Sequence, residues 1–176
     1  MLKKPKQISS EIRLTNPYWD YNIDLYESPN GKEYEYHYVH SRGASFVIPK
    51  KHNTFVLIRQ YRYLNRRESL EFPGGGIKPG KSDLETAIDE LSEEAGYKAG
   101  SIKKIGEFNP YNGVTDEICS VFLAEGLLET KSKPDETEEF EIVELTKDEI
   151  NAMIKSGEIW DGMTLAAWSL YSVESL

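Results

Sequence analysis

The chain has 176 residues, with 21 basic and 30 acidic side chains, a formal net charge of −9 and a pI near 4.9. That balance argues against duplex nucleic acid or an anionic membrane surface as a partner, since both call for a basic face. It leaves room for an anionic small substrate where a divalent cation stands between it and the acids.

The length and a 39% hydrophobic composition predict one ordinary globular domain. No apolar run approaches the roughly 18 residues of a membrane span. The start, Met1-Leu2-Lys3-Lys4-Pro5-Lys6, is basic without an apolar stretch after it, so no secretory signal is expected. The single cysteine, Cys119, excludes an internal disulfide and a cysteine-based metal cluster, and fits a cytoplasmic setting.

In chain order, residues 1–10 read as a mobile basic arm, and 11–176 as the domain. Tyr21, Ile23 and Leu25 alternate with polar neighbours, and so do Tyr34, Tyr36 and Tyr38. With Ser28-Pro29-Asn30-Gly31 as the turn, 18–42 reads as a β-hairpin. A short strand at 44–48 ends near Pro49, and Lys51-His52-Asn53 turns into a longer strand at 54–63. A strand at 69–72 runs into a turn, Pro73-Gly74-Gly75-Gly76. Ser82 and Glu85 then form a capping box, and Leu84, Ala87, Ile88, Leu91 and Ala95 make an apolar helical stripe ended by Gly96. Strands follow at 102–108 and 117–124, then an acidic loop at 129–139 and a strand at 140–145. Helices at 146–155, with a second capping box of Thr146 and Glu149, and at 163–173 close the chain. Many strands mixed with three helices predict the α+β class, arranged as an α/β/α sandwich.

The stretch that carries chemistry lies between Gly74 and Tyr97. Glu90, Glu93 and Glu94 fall three and four residues apart, on neighbouring rows of the helix side away from the apolar stripe. An isolated acidic run is usually a solvated face. Here strand, glycine turn and capped helix precede it, and three hard oxygen donors at that density are what Mg²⁺ or Mn²⁺ requires. Glycines beside the helix let backbone carbonyls approach the same point.

From Gly75, five residues lead to Lys81 and seven more to Asp89, followed by Glu90-Leu91-Ser92-Glu93-Glu94-Ala95-Gly96-Tyr97. Over 75–97 this resembles the Nudix hydrolase signature of G, five residues, E, seven residues, R-E-U-x-E-E-x-G-U. Two positions depart: the first Glu is Lys81 and the Arg is Asp89. Acid and base have exchanged places, and the reading expects Lys81 and Asp89 to form a reversed ion pair. The opposite reading is a weakened, nucleotide-sugar-binding Nudix domain.

Leu57-Ile58-Arg59-Gln60-Tyr61-Arg62-Tyr63, Glu71-Phe72-Pro73-Gly74-Gly75, Asn109-Pro110-Tyr111-Asn112-Gly113-Val114-Thr115-Asp116-Glu117 and Asn16-Pro17-Tyr18-Trp19 are similar to the branch cleaving ADP-ribose and other nucleoside diphosphate sugars. The resemblance implies a Nudix fold with a mixed central sheet and an N-terminal hairpin extension, a homodimer, and a Mg²⁺- or Mn²⁺-dependent pyrophosphohydrolase. A hydrolase of another nucleoside polyphosphate is the alternative. The resemblance makes Glu90, Glu93, Glu94 and the Gly74 carbonyl the metal ligands. The general base comes from the late acidic loop, with Glu136 the first choice and Glu138 the second.

Arg62 is a candidate for a substrate phosphate or for a surface ion pair. Glu71 faces the metals or pairs with an Arg. Trp19 stacks on a base or packs in a core or dimer interface. Arg67, with Arg66, is a weaker phosphate candidate in a turn. His37, His40 and His52 show no mutual metal spacing.

Overall fold

A computed structural model describes residues 2–131 and 139–174. Contacts divide the chain into two compact units, Met1–Arg42 with Asn109–Ile118, and Gly43–Phe108 with Cys119–Leu176.

The first unit is an antiparallel meander of β1 (Lys6–Thr15), β2 (Asp20–Glu27) and β3 (Glu33–His40). The tyrosine alternation marks β2 and β3 as expected. Residues 6–10, read from the sequence as part of an arm, instead begin β1 and pair with β2 from Lys6↔Glu27 onward. Their polar composition hid them, because every residue of β1 is exposed. Asn16 shapes the β1–β2 turn by accepting from the Tyr18 and Trp19 amides at 2.8 and 3.0 Å. In Asn109–Ile118, the Asn109 amide donates to the carbonyls of Thr115 and Glu117, and Val39 N–H donates to Val114.

The second unit carries β4 (Ala44–Lys51), β5 (Thr54–Arg62), β6 (Arg67–Glu71), β7 (Gly74–Gly76), α1 (Asp83–Glu93), β8 (Tyr97–Lys98), β9 (Ser101–Phe108), β10 (Cys119–Glu125), β11 (Leu128–Glu129), β12 (Glu141–Thr146), α2 (Lys147–Ser156) and α3 (Gly162–Glu174). The main sheet runs β12-β5-β4-β10-β9, with β6 on β5 and β7 on β4. β4 and β10 are parallel and the other pairs of this sheet antiparallel, so the sheet is mixed.

Alternation along β4 and β10 sorts the core onto two faces. Val47, Phe122 and Ala124 join Ala87, Leu91 and Ala95 of α1 on one. Ile48 and Val121 join Ile150, Ala167, Trp168 and Tyr171 of α2 and α3 on the other. This is the α/β/α sandwich expected.

Two differences from the sequence reading bear on the site. β4 continues through Pro49, which stays in register with Ala124 of β10, and its pairing with β5 begins at Lys50. Gly74-Gly75-Gly76, expected as a turn, is the short strand β7, in register with Phe46, Ser45 and Ala44. Only a residue without Cβ fits at Gly74, where that atom would lie 2.4 Å from the Phe46 ring and 2.7 Å from the Ser45 carbonyl.

Candidate functional site

α1 starts where the sequence places it. Ser82 Oγ accepts from the Glu85 amide, and the Glu85 carboxylate accepts from Ser82 N–H at 2.8 Å. Its buried face differs from the expected stripe. Thr86, Glu90 and Glu94 are buried beside Ala87, Leu91 and Ala95, whereas Leu84 and Ile88 are exposed. The carboxylates therefore do not all lie on the solvated side: Glu90 and Glu94 turn toward β7.

β7 has no side chains, so the carboxylates occupy the space. A Cβ on Gly75 would stand 2.5 Å from Glu90 Oε1. Glu94 Oε2 accepts from Gly74 N–H at 2.8 Å. Glu93 is half-buried at the rim, 3.6 Å from Lys78 Nζ.

The exchanged pair is formed. Lys81 Nζ contacts Asp89 Oδ2, tying the turn before α1 to the helix, and this contact raises the Lys81 pKa. The turn itself is closed by Lys81 N–H donating to Lys78 O at 3.1 Å.

Arg62 and Glu71 meet in a two-pronged pair, with Arg62 Nε 2.7 Å from Glu71 Oε1 and a second bond to Oε2. Glu71 is 3% exposed, and the Arg62 guanidinium and the Gln60 amide supply its buried carboxylate with donors. The Glu71 hydrogen bond raises the Arg62 pKa, and the negative charges of Asp161 and Glu94 add to the effect. Asp161 was not singled out from sequence; its Oδ2 caps α3 by accepting from Thr164 N–H at 2.7 Å. An Asp three residues before Thr at a helix start was the available signal.

Arg67 stacks over the Trp160 ring at 3.6 Å, and Trp160 Nε1 donates to Glu68 O. Trp19 belongs to the N-terminal unit, where it is 40% exposed and lines a cavity of about 170 Å³ with Tyr18, His40 and Arg42. Glu136 and Glu138 lie outside the described residues.

Among the described residues, no three acid or imidazole side chains stand at metal-ligating distance from one point. The chemistry of the donor set nonetheless fits a hard divalent cation. Glu90 and Glu94 lie against β7, Glu93 stands 3.6 Å from Lys78 Nζ, and Glu71 and Asp161 act on Arg62. An excess of carboxylates in a half-buried setting is costly without a positive counter-charge.

The NUDIX domain family matches residues 16–165, and the chain belongs to that family. It is 37% identical over 152 residues to the ADP-ribose pyrophosphatase of Bacillus subtilis (strain 168), covering 82% of each chain. It is 32% identical over 180 residues to the GDP-mannose pyrophosphatase of Yersinia enterocolitica serotype O:8, covering 94% of this chain and 93% of the relative. A crystal structure of an ADP compounds hydrolase superposes with a TM-score of 0.84 at 22% identity, over 98% of this chain and 94% of the other, which establishes the fold.

Proposed function

We propose that this Nudix pyrophosphohydrolase cleaves the diphosphate of ADP-ribose, or of another nucleoside diphosphate sugar, to a nucleoside monophosphate and a sugar phosphate. The observation that carries the reading is the acidic row of α1 pressed onto a strand of bare glycines. The two relatives named for such reactions support the substrate class.

Glu90, Glu93, Glu94 and the Gly74 carbonyl would hold Mg²⁺ or Mn²⁺. A bound cation of this kind neutralises diphosphate oxygens and makes an attacking water more acidic. The chain's own residues do the rest. Glu71 orients the Arg62 fork, which meets a phosphate of the substrate. Arg67, braced on Trp160, adds positive charge, and Trp19 offers a ring face to a base. Glu136, with Glu138 as second choice, takes the proton of the attacking water.

We further propose a homodimer in the cytoplasm. Strand β1 leaves Ile8, Ile12 and Leu14 exposed, and the turn after it exposes Tyr18, an apolar surface that a second copy of the chain would cover. Among the described residues, no helix is long and apolar enough to cross a membrane. Light scattering of the purified chain tests the dimer, with twice the 20.1 kDa chain mass expected.

The functional test is incubation with Mg²⁺ and a panel of ADP-ribose, GDP-mannose, a nucleoside triphosphate and a dinucleoside polyphosphate, with identification of the phosphorylated products. A nucleoside monophosphate plus a sugar phosphate supports the reading. Turnover of only the triphosphate or polyphosphate replaces the substrate class. Binding of a nucleotide sugar with no Mg²⁺-dependent turnover identifies a weakened site.

A further inference from the structure

The apolar packing of α1 does not determine its rotation. Ala87, Leu91 and Ala95 lie on Val47, Phe122 and Ala124, and two of the three helix residues are alanines. Such contacts are non-directional. The capping box also acts only within the helix and its own turn. Polar contacts at the start of the helix therefore bear on how the row Thr86-Glu90-Glu94 meets β7.

The Gly74 N–H bond to Glu94 acts at the C-terminal end of the helix; at its N-terminal end, directional contacts from the sheet come from two buried serines. Ser45 and Ser120 are register partners on the parallel strands β4 and β10, 0% and 4% exposed. Both side chains point to the α1 face, two residues before Val47 and Phe122. Both donate to one residue, Asp83, the first of α1: Ser45 Oγ to its backbone carbonyl at 2.8 Å, and Ser120 Oγ to its Oδ2 at 2.9 Å. Lys104 of β9 approaches the same Oδ2 at 3.3 Å. The Ser120 bond is the main cause of a lowered Asp83 pKa, so the carboxylate is held as an anion.

We infer that Ser45 and Ser120, acting through Asp83, set the rotation of α1 and so position Glu90 and Glu94 on β7. They are positioning residues, some seven residues and about 10 Å up the helix from the nearer carboxylate. The leverage is large. With side chains about 5–6 Å from the axis, a rotation of roughly 20° moves a carboxylate by about 2 Å. Metal sites tolerate departures of about 0.2 Å. One hydroxyl to the backbone and one to the side chain of the same residue fix both the position and the roll of the first turn. The buried hydroxyls are otherwise hard to explain in a face of Val, Phe and Ala, where an alanine at each position would pack as well.

This inference rests on the functional reading above, in which Glu90 and Glu94 hold a divalent cation. The test is Mn²⁺ titration of the full chain, with free Mn²⁺ read by electron paramagnetic resonance, alongside kcat and KM for ADP-ribose. The Ser45→Ala/Ser120→Ala chain is expected to bind Mn²⁺ about tenfold more weakly, the loss typical of groups that orient metal ligands, with kcat falling and KM little changed. Asp83→Ala reproduces the loss. Asp83→Asn, which keeps the backbone carbonyl for Ser45 and one side-chain oxygen for Ser120, stays within about threefold of the parent. Ser69→Ala removes a buried hydroxyl that makes no hydrogen bond, and leaves Mn²⁺ affinity unchanged.

Should the double variant fail to fold, Ser120→Ala alone and Asp83→Ala decide the matter. A parent that binds Mn²⁺ while Ser45→Ala/Ser120→Ala or Asp83→Ala binds it within twofold overturns the inference alone. A parent that binds no Mn²⁺ and shows no Mg²⁺-dependent turnover overturns the functional reading, and the inference with it.

Discussion

Helices α1 and α2 begin alike and end differently. Each opens with a Ser or Thr cap and a Glu three residues on, with both capping bonds made. α2 then follows the rules of a stable helix. It buries Ile150, carries Lys155 in its last turn, and stops at Gly157 in the left-handed region at φ 82°, whose N–H returns to the carbonyls of Met153 and Ile154. α1 violates them. Its last turns hold Glu90, Glu93 and Glu94 with no basic residue, at the end of the helix where the dipole is negative, and two of those acids are buried. One helix serves packing; the other carries a local disadvantage that the cation proposed at its C-terminal half would offset.

The sharpest way to break that contrast is to remove the acids. Glu93→Gln and Glu94→Gln should each lower turnover by at least about 100-fold, beyond the loss usual for groups that only orient ligands. Calorimetry should find the metal-free melting temperature of Glu93→Gln no lower than the parent's, because the change relieves repulsion at the dipole's negative end. Glu149→Gln, which removes an acid from the first turn of α2, should leave turnover alone.

Next comes the glycine strand. Gly75→Ala introduces a Cβ 2.5 Å from the Glu90 carboxylate, a flexible group that can swing aside. Stability should change little, while the rate falls by roughly 10–100-fold from misplacement of about 1 Å. Gly76→Ala meets nothing within 4 Å and should stay within about twofold. Equal rates for the two would detach Glu90 from the chemistry.

These effects also show why the sequence revealed the site's residues but not its orientation. The spacing of Glu90, Glu93 and Glu94, the capping boxes of α1 and α2, and the alternation of β2 and β3 are local features, and each is where it was expected. The wheel, however, assigns burial by hydrophobicity. It placed Leu84 and Ile88 inside and the acids outside, because it cannot know that the neighbouring strand lacks side chains and leaves room for carboxylates. Glu71 was legible as a candidate, but its pairing with Arg62 depends on the β5–β6 register. Ser45 and Ser120 act through contacts between distant segments, so no periodicity marks them.

A smaller difference separates the caps. Ser82→Ala and Thr146→Ala should each cost about 1 kcal/mol of stability by denaturant titration. Only the first should also lower turnover, since only α1 presents site residues.

The smallest effect is in pH. Backbone and side-chain hydrogen bonds from Thr146 hold the Glu149 pKa below its ordinary 4.5. A folded-state value below the unfolded one stabilises the protein above pH 4.5, and that contribution disappears as pH falls through the folded value. Melting curves of the parent and Glu149→Gln should therefore differ at neutral pH and converge in acid. The same convergence is expected for Glu85→Gln, whose carboxylate is lowered by Ser82 in the same way.

The central claim is that α1 tolerates its acids because they grip a cation. Calorimetric titration of Mg²⁺ into the parent and into Glu90→Gln/Glu94→Gln tests it directly. Saturable binding to the parent, lost in the double variant while its circular dichroism is unchanged, is the result expected. Equal Mg²⁺ binding by both would contradict it.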